Sequence, residues 1–238
     1  MSRSAFALLA WMVSTAFASA SVACKDTVFE ELSFTVCETQ SLQKIDLHLR
    51  DGEQVIGSFR RLEALEGPLP FATNAGMYHP DRRPVGHFLK EGTETMRVVT
   101  SPGPGNFGML PNGVFCVTET RALVLESRAY LDAPPECRIA TQSGPLLVIE
   151  NALHPRFIPG STALNIRNGV GVSQDGQRVA FAISNQPVNF DTFARLFRDV
   201  LDLPNALYLD GRISRFHAPQ LGRSDAGLPM GPILSVRP

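Results

Sequence analysis

The sequence has no basic run and no stretch in which basic and aromatic residues interleave, and its formal net charge is −1. Binding to nucleic acid needs a surface that neutralises phosphates. Docking on anionic lipid needs clustered Lys or Arg residues. The sequence therefore argues against both nucleic acid and an anionic lipid surface as partners.

The short motifs of several large enzyme classes are also missing. There is no GxxxxGK[ST] loop for nucleotides and no HExxH helix for zinc. There is no GxSxG elbow for a serine nucleophile. No CxxC pair or Cys/His cluster indicates a zinc site. These absences argue against a phosphate-cradling P-loop, zinc proteolysis and serine hydrolysis.

Long apolar segments are absent beyond residue 20, so no later stretch is predicted to cross a bilayer. The first twenty residues combine Arg3 with an uncharged apolar stretch and end in Ala18-Ser19-Ala20. This pattern predicts a cleaved secretory signal peptide over residues 1–20, and hence a periplasmic or secreted protein. Because the remainder shows no repeat, low-complexity tract or linker, we expect one mature domain over residues 21–238.

Cysteine is scarce: the chain has only Cys24, Cys37, Cys116 and Cys137. An even number in an exported protein indicates disulfides, and four cysteines allow three pairings. We favour Cys24–Cys37 with Cys116–Cys137, because each pair brackets a short segment that could fold back on itself. A reactive thiol nucleophile is not expected in an oxidising compartment.

Short β-prone segments dominate what is present. They alternate apolar and polar residues or form brief apolar runs, as strands do. We therefore predict an α+β fold: a strand-rich single domain with a mixed or antiparallel sheet core and a few helices. The predicted strands cover residues 28–37, 44–50, 69–73, 86–90, 96–100, 113–118, 122–127, 138–144 and 145–150, a hairpin over 169–184 and a last apolar run over 204–211.

Two segments have helical spacing. Residues 57–67 offer Ser58 as an N-cap and Gly67 after the last turn, and residues 189–201 offer Asn189 as a cap. The phenylalanine stripe of the second helix is predicted to lie in the core. In the hairpin, the Asp175-Gly176 pair is typical of a tight turn, so Asp175 is predicted to be structural.

Four strands border a polar residue beside glycine. Any one such pair is an ordinary turn. Four of them next to strongly apolar strands favour strand ends that converge on one polar pocket. Glycine at these positions permits sharp bends and close approach of the backbone to a ligand. They are Asn74-Ala75-Gly76, Gln142-Ser143-Gly144, Arg167-Asn168-Gly169 and Asp210-Gly211.

The side chains at these turns favour one kind of ligand. Asp210 can act as an acid, base or nucleophile, and Arg167 has the planar fork that suits phosphate. Asn74, Gln142, Ser143 and Asn168 offer neutral hydrogen bonds of the kind that sugar hydroxyls need. This inventory favours a phosphorylated or anionic carbohydrate.

Glycoside hydrolysis usually needs a second carboxylate, for which Asp81 is a candidate. A divalent metal held by carboxylate and amide oxygens could assist, although no ligand spacing indicates one, and no other cofactor is expected. His79 follows the Asn-Gly turn and could reach the same pocket.

The motifs resemble, in order, those of the phosphodiester glycosidase family, the domain of the lysosomal uncovering enzyme, in an exported bacterial form. The resemblance covers nearly the whole mature chain. It implies a compact strand-rich domain that hydrolyses a sugar-1-phosphodiester, releasing the sugar and leaving a phosphomonoester. The motifs are NAGMYHPDRRPVG, PNGVF, ATQSGPLLV, STALNIRNGVGV, AISNQPVNFDTFARLFRD and LPNALYLDGRISRF.

Matching the motifs residue by residue carries over a set of site positions. Asp210, Arg167 and Asn74 would be catalytic, and Gly76, Ser143, Gly144, Asn168 and Gly211 would contact substrate. The last motif departs from the glycine- and serine-rich form of the uncovering enzyme. Arg212 stands where that form has glycine, and it could bind the substrate phosphate.

An alternative reading is a carbohydrate-binding or envelope-associated module that kept the pocket without catalysis. A strict binder would be expected to expose a platform of stacking aromatic residues. The only tryptophan, Trp11, falls in the predicted signal peptide, and the chain has three tyrosines. The composition therefore favours the enzyme, acting on a small or polymeric sugar phosphate.

Overall fold

The computed structural model describes residues 21–210 and 213–238. The predicted signal peptide and two predicted substrate contacts, Gly211 and Arg212, lie outside the described residues. In the described part of the chain, no helix is both long and apolar enough to span a membrane.

The largest sheet has seven strands, and every neighbouring pair in it is antiparallel. From one edge to the other its strands are β1 (Ala23–Phe29), β2 (Leu32–Thr39), β15 (Val179–Ser184), β14 (Asn168–Val172), β16 (Asn205–Tyr208), β12 (Leu146–Ile149) and β13 (Ala152–Leu153).

Two further antiparallel sheets have five strands each, and β4 (Arg50–Asp51) pairs with β5 (Gln54–Val55) in a small hairpin. One sheet runs β10 (Ala122–Glu126), β9 (Gly113–Val117), β11 (Ile139–Ser143), β7 (Phe88–Lys90) and β8 (Thr93–Met96). The other runs β18 (Arg223–Ser224), β17 (Phe216–Ala218), β6 (Phe71–Asn74), β19 (Ile233–Val236) and β3 (Ile45–His48).

Helices are short and few among the described residues. They are α1 (Phe59–Glu66), α2 (Ser127–Asp132) and α3 (Phe190–Arg195), which continues as a π-helical turn over Leu196–Val200, together with 3₁₀ turns at Leu42–Lys44 and Pro219–Leu221. The predicted α+β class, strand-rich with antiparallel sheets, is confirmed.

One core joins the three large sheets. The ring of Phe181 on β15 lies 4.8 Å from that of Phe71 on β6 and 6.2 Å from that of Phe115 on β9. All three rings are fully buried. Because each ring belongs to a different sheet, no large sheet can bury its apolar face without the others.

The helical segment after Asn189 covers the opposite face of the seven-stranded sheet. Its cap is as predicted: the Asn189 side chain accepts a hydrogen bond from the backbone N–H of Thr192. Phe193 and Phe197 are buried, whereas Val200 at the end of the stripe is 41% exposed. The segment can lie close to β14 because Gly171 has no side chain; a Cβ there would stand 2.7 Å from the Phe197 ring.

The prediction of one strand over 28–37 is wrong, because the chain reverses there between β1 and β2. Glu30 and Glu31 form the turn with φ of 51° and 62°, left-handed values that suit a tight hairpin. Cys24 and Cys37 face each other across this hairpin and form a disulfide. The second predicted disulfide, Cys116–Cys137, is also confirmed.

Other elements differ from the sequence prediction for local reasons. The predicted strand over 96–100 is wrong, because β8 ends at Met96 and residues 97–100 are irregular. Helix α2 was not predicted; its cap is Glu126, whose carboxylate accepts from the N–H groups of Arg128 and Ala129, a role that Ser, Thr, Asp and Asn fill more often.

Candidate active site at the converging strand ends

Two buried asparagines connect the end of β6 to the beginning of β14. The Asn168 Nδ2 atom donates to Thr73 Oγ1 at 2.9 Å and to Asn74 Oδ1 at 3.0 Å. Asn74 Oδ1 also accepts from the backbone N–H of Arg215 at 2.8 Å. Both asparagine side chains are fully buried, so these bonds satisfy groups that would otherwise be costly to bury.

The end of β11 joins the same place through Ser143. Its hydroxyl donates to the backbone carbonyl of Leu209 at 2.8 Å, immediately before Asp210. Gly76 lies against the same strand: its N–H donates to Thr141 Oγ1 at 3.3 Å, and a Cβ on Gly76 would stand 2.3 Å from the carbonyl oxygen of Gln142. The close approach of β6 and β11 therefore requires glycine at position 76.

The predicted contact Gly144 follows Ser143 and packs against the segment before β9. A Cβ on Gly144 would lie 2.7 Å from Asn112 Cβ and 3.1 Å from the carbonyl oxygen of Phe107. The residue is thus tightly enclosed by protein. Its contribution to a site would be through backbone position.

Asp210 follows β16, which pairs with β14. Gly169 is opposite Tyr208, and the N–H of Leu209 donates to the carbonyl of Asn168. Continuing this register by one more pair places Asp210 opposite Arg167. The Ser214 hydroxyl donates to the carbonyls of both Asp210 and Ile166, at 3.0 and 3.1 Å, which ties the following loop to both strands.

The charge of Asp210 acts on two tyrosines. Burial raises the pKa of Tyr208 to about 12, and the negative charge of Asp210 adds to the effect, opposed by Arg167. Burial, with the charge of Asp210 as the second cause, also raises the pKa of Tyr78. Both phenols are therefore held in the protonated form, as hydrogen-bond donors, near the carboxylate.

Arg167 projects to the opposite face of β14 from Asn168, as successive strand residues do. Its Nε donates to the carbonyl of Val188 at 2.8 Å, Nη2 to that of Ala163 at 3.0 Å, and Nη1 to Tyr208 Oη at 3.4 Å. The guanidinium carbon lies 3.6 Å from the centre of the Phe190 ring. Burial lowers the pKa of Arg167, since these partners are all neutral.

Gln142, which the sequence put among the sugar-binding candidates, has its amide occupied by protein. Its Oε1 accepts from the N–H groups of His87 and Val99, and its Nε2 donates to Val99 O and Ser127 Oγ. The side chain therefore anchors the irregular segment after β8 to the end of β11.

The candidate second carboxylate, Asp81, lies in an exposed loop and pairs with Arg83 at 2.5 Å. His79 is exposed in the same loop. Asp175 accepts from Ser173 Oγ and from the N–H of Gln177, as a turn residue does. In the part of the chain that the structure describes, no group of three or more His, Cys, Asp or Glu residues could hold a metal ion.

The structure thus brings Asn74, Gly76, Ser143 and Asn168 together on one side of the strand ends. Arg167 and Tyr208 lie on the other face of the seven-stranded sheet, and Asp210 is at its rim. Sequence reasoning missed Tyr208, although it stands two residues before Asp210 on the same strand. That spacing places both side chains on one face and could have indicated the pair.

Residues 69–215 match the phosphodiester glycosidase family, and they include every described residue of the candidate site. This match covers more than half of the chain. The chain therefore belongs to the phosphodiester glycosidase family, as its resemblance implied.

One curated relative is the uncharacterized protein YigE of Escherichia coli strain K12. It is 34% identical over 152 residues, which cover 64% of this chain and 59% of that protein. The matched part therefore spans less than two thirds of the relative's length.

Solved structures show the same fold at low identity. The catalytic domain of zebrafish N-acetylglucosamine-1-phosphodiester alpha-N-acetylglucosaminidase, auto-inhibited by its pro-peptide, matches with a TM-score of 0.62 at 12% identity over 91% of this chain and 82% of that one. A Burkholderia pseudomallei protein named "Putative exported protein" matches with a TM-score of 0.57 at 12% identity, over 87% of this chain and 74% of that one. At this identity the similarity establishes the fold alone.

Proposed function

We propose that this protein is an exported hydrolase that cleaves a sugar-1-phosphodiester. Water adds to the anomeric carbon as the bond from that carbon to the phosphate oxygen breaks. The sugar leaves with a new hydroxyl group, and the phosphate remains as a monoester. Family membership supports this glycosidase chemistry.

The observation that carries the proposal is the environment of Arg167. Its guanidinium is buried, and its hydrogen bonds go to two carbonyls and a phenol. Burial of a cation among neutral groups costs free energy that a bound anion would offset. A substrate phosphate beside Arg167 is such an anion, and the planar guanidinium fork suits it.

Asp210 supplies the second half of the arrangement. Glycosidic cleavage passes through an oxocarbenium-like state whose positive charge a nearby carboxylate stabilises. Opposite Arg167, Asp210 acts in this proposal as the acid, the base or a metal ligand. In this proposal the protonated phenol of Tyr208, which accepts from Arg167 Nη1, helps to orient the phosphate.

The remaining predicted residues shape the sugar side of the site. Asn74, Asn168 and Ser143 hold the strand ends together. In this proposal their amide and hydroxyl groups also form hydrogen bonds with sugar hydroxyls. Gly76 and Gly144 permit the close backbone approach. Gly211 and Arg212, which follow Asp210 directly in sequence, are proposed as further substrate contacts.

Export is part of the same proposal. Two disulfides form best in an oxidising compartment, and the structural relative from Burkholderia is described as exported. Together with the predicted signal peptide over residues 1–20, they support a periplasmic or secreted enzyme.

The test is sugar release from UDP-N-acetylglucosamine and from the methyl phosphodiester of N-acetylglucosamine 1-phosphate. Wild type, Asp210→Asn and Arg167→Lys are compared with Asp132→Asn, which changes an exposed carboxylate on α2 in the same way. We expect Asp210→Asn to lower kcat by about 100-fold or more, as loss of an acid–base group does, with Asp132→Asn near wild type.

Circular dichroism verifies that each variant is folded, and EDTA in a parallel assay tests for a metal. Full activity of Asp210→Asn would contradict the role of Asp210. Silence toward both substrates, with tight binding of either one, would instead favour the non-catalytic binding module.

A further inference from the structure

A cleft of about 480 Å³ opens beside the loop that follows β6. Three segments form its walls: the start of α1 with the residues before it, the 80–82 loop, and the 227–229 segment. This volume is within the range of small-ligand sites, which is roughly 300–1,000 Å³. Its lining includes Ile56, Gly57, Ser58, Arg61, Asp81, Arg82, Gly227 and Pro229.

Tyr78 connects this cleft to the candidate active site. Its hydroxyl donates to the carbonyl of Pro229, a lining residue, at 3.5 Å. Its ring packs on Gly231, where a Cβ would stand 2.4 Å from a ring carbon. On the other side, the charge of Asp210 acts on the same phenol. Arg215, at the edge of the cleft beside Gly227, gives a direct link to the candidate active site, since its backbone N–H donates to Asn74 Oδ1 at 2.8 Å.

The cleft is bordered by cations. Arg61 and Arg82 are among its lining residues, and Arg215 reaches its edge, where its Nη2 would stand 2.2 Å from a Cβ on Gly227. The lining carboxylate, Asp81, is paired with Arg83. Arg61 has a carboxylate partner, Asp51, at 3.5 Å, on an exposed and weakly held bridge. Of the six charged residues named here, four are arginines and two are aspartates.

Arg82 is held at this place by the backbone. Its φ is 70°, a left-handed value that costs free energy in a residue with a side chain, and such strain is concentrated at ligand sites. The guanidinium donates to the carbonyl of Pro80 at 2.7 Å and lies 5.4 Å from the centre of the Tyr78 ring. The turn therefore holds a cation near the Tyr78 ring on a residue that lines the cleft.

We propose that the cleft is a subsite for a second phosphate, carried by the leaving group of the substrate. The inference rests on the proposed function and narrows its substrate class to glycosyl phosphodiesters whose leaving group carries a second phosphate beside the scissile one. The shared chemistry is the second phosphate, which a nucleoside diphosphate sugar and a phosphodiester-linked polymer both provide. Arg61 and Arg82 are the specificity-determining residues.

The test compares three substrates that share N-acetylglucosamine 1-phosphate. The methyl ester carries no charge beyond the scissile phosphate. UDP-N-acetylglucosamine carries a second phosphate bonded directly to the first, and the diester with glycerol 3-phosphate carries one on the far side of the glycerol. Arg61→Gln and Arg82→Gln are matched with Arg60→Gln, which removes the same charge from an exposed position on α1 outside the cleft lining.

We expect each cleft variant to lower kcat/KM for at least one anionic substrate by about 5- to 20-fold, mainly through KM, and to affect the methyl ester less. The anionic substrate that responds more identifies the source of the second phosphate. Equal effects on all three substrates, or the same effect from Arg60→Gln, would overturn the subsite.

Calorimetric titration with UDP separates this inference from the proposed function, because it needs no turnover. If no substrate is cleaved, the proposed function fails, and the cleft is judged by binding alone. UDP binding weakened about 5-fold or more by Arg82→Gln and not by Arg60→Gln would support an anion subsite. Binding that ignores Arg82→Gln, or no binding, would refute it.

Discussion

At the scale of single residues, Gly76 makes the sharpest geometric demand. The atoms that a Cβ would meet, the carbonyl oxygen of Gln142 and Thr141 Oγ1, belong to a buried strand that has no room to retreat. We predict that Gly76→Ala lowers the free energy of unfolding by about 1–3 kcal/mol, as overpacking does, and reduces sugar release. Urea denaturation and the hydrolysis assay measure the two effects.

The control for Gly76 is Gly103→Ala. Nothing lies within 4 Å of a Cβ there and its φ is not left-handed. This substitution should change the free energy of unfolding by less than about 0.5 kcal/mol. Equal stability of both variants would show that the ends of β6 and β11 can separate without cost.

His48 makes stability depend on pH. Burial lowers its pKa to about 4, with the charge of Asp46 acting against this and that of Lys90 with it. Glu66 also lies 3.9 Å from its ring. Between pH 6.5 and 4 the unfolded chain binds the proton that folded His48 resists, so stability falls as pH falls through this window. Relative to neutral pH, His48 lowers the free energy of unfolding by about 2–3 kcal/mol at pH 4.5.

His48→Gln tests this dependence by removing the titrating group. We expect the free energy of unfolding to fall less between pH 7 and pH 4.5 in this variant than in wild type, whatever its stability at pH 7. His79→Gln, which removes an exposed imidazole, controls for the loss of a histidine. Parallel pH profiles for wild type and His48→Gln would refute the prediction.

The sequence predicted part of the candidate site because four polar-glycine pairs lie beside apolar strands, although any one of them is an ordinary turn. Asn74 and Asn168 do meet, although no sequence rule states that they bond to each other. The face on which Arg167 lies could be read from strand alternation, but its contacts with Val188 and Phe190 depend on how α3 packs. Whether these residues act in catalysis stays a prediction.

At the scale of elements, the sequence predicted the strands better than the turns that join them. Residues 28–37 look continuous because Glu30 and Glu31 are neither Gly, Asn nor Asp, so the turn carries no local signal. The strands β17 and β19 were missed because each is short, three and four residues, and is followed closely by a proline, Pro219 and Pro238. Their register with β6 arises from tertiary pairing.

The disulfide between Cys116 and Cys137 ties β9 to the segment just before β11. It closes a segment with a sequence separation of 21, which contains β10 and α2. Replacing both cysteines by alanine should lower the free energy of unfolding by roughly 3 kcal/mol, the entropy of closing such a loop in the unfolded chain. Urea denaturation measures it, and dithiothreitol-treated wild type should be destabilised at least as much. A loss below about 0.5 kcal/mol would show that the hairpin is already ordered without the bond.

At the scale of the whole molecule, three sheets that share one core should unfold together. Phe181 contacts the cores of both other large sheets through Phe71 and Phe115, so none can open without exposing the others. We predict one cooperative transition for residues 21–238, with coincident midpoints from far-ultraviolet circular dichroism and tyrosine fluorescence. Phe181→Ala should shift both midpoints together, with a loss of about 3–5 kcal/mol. The control Leu228→Ala, at a position 72% exposed, should shift neither midpoint. Midpoints that separate in Phe181→Ala would mean that the sheets are independent folding units.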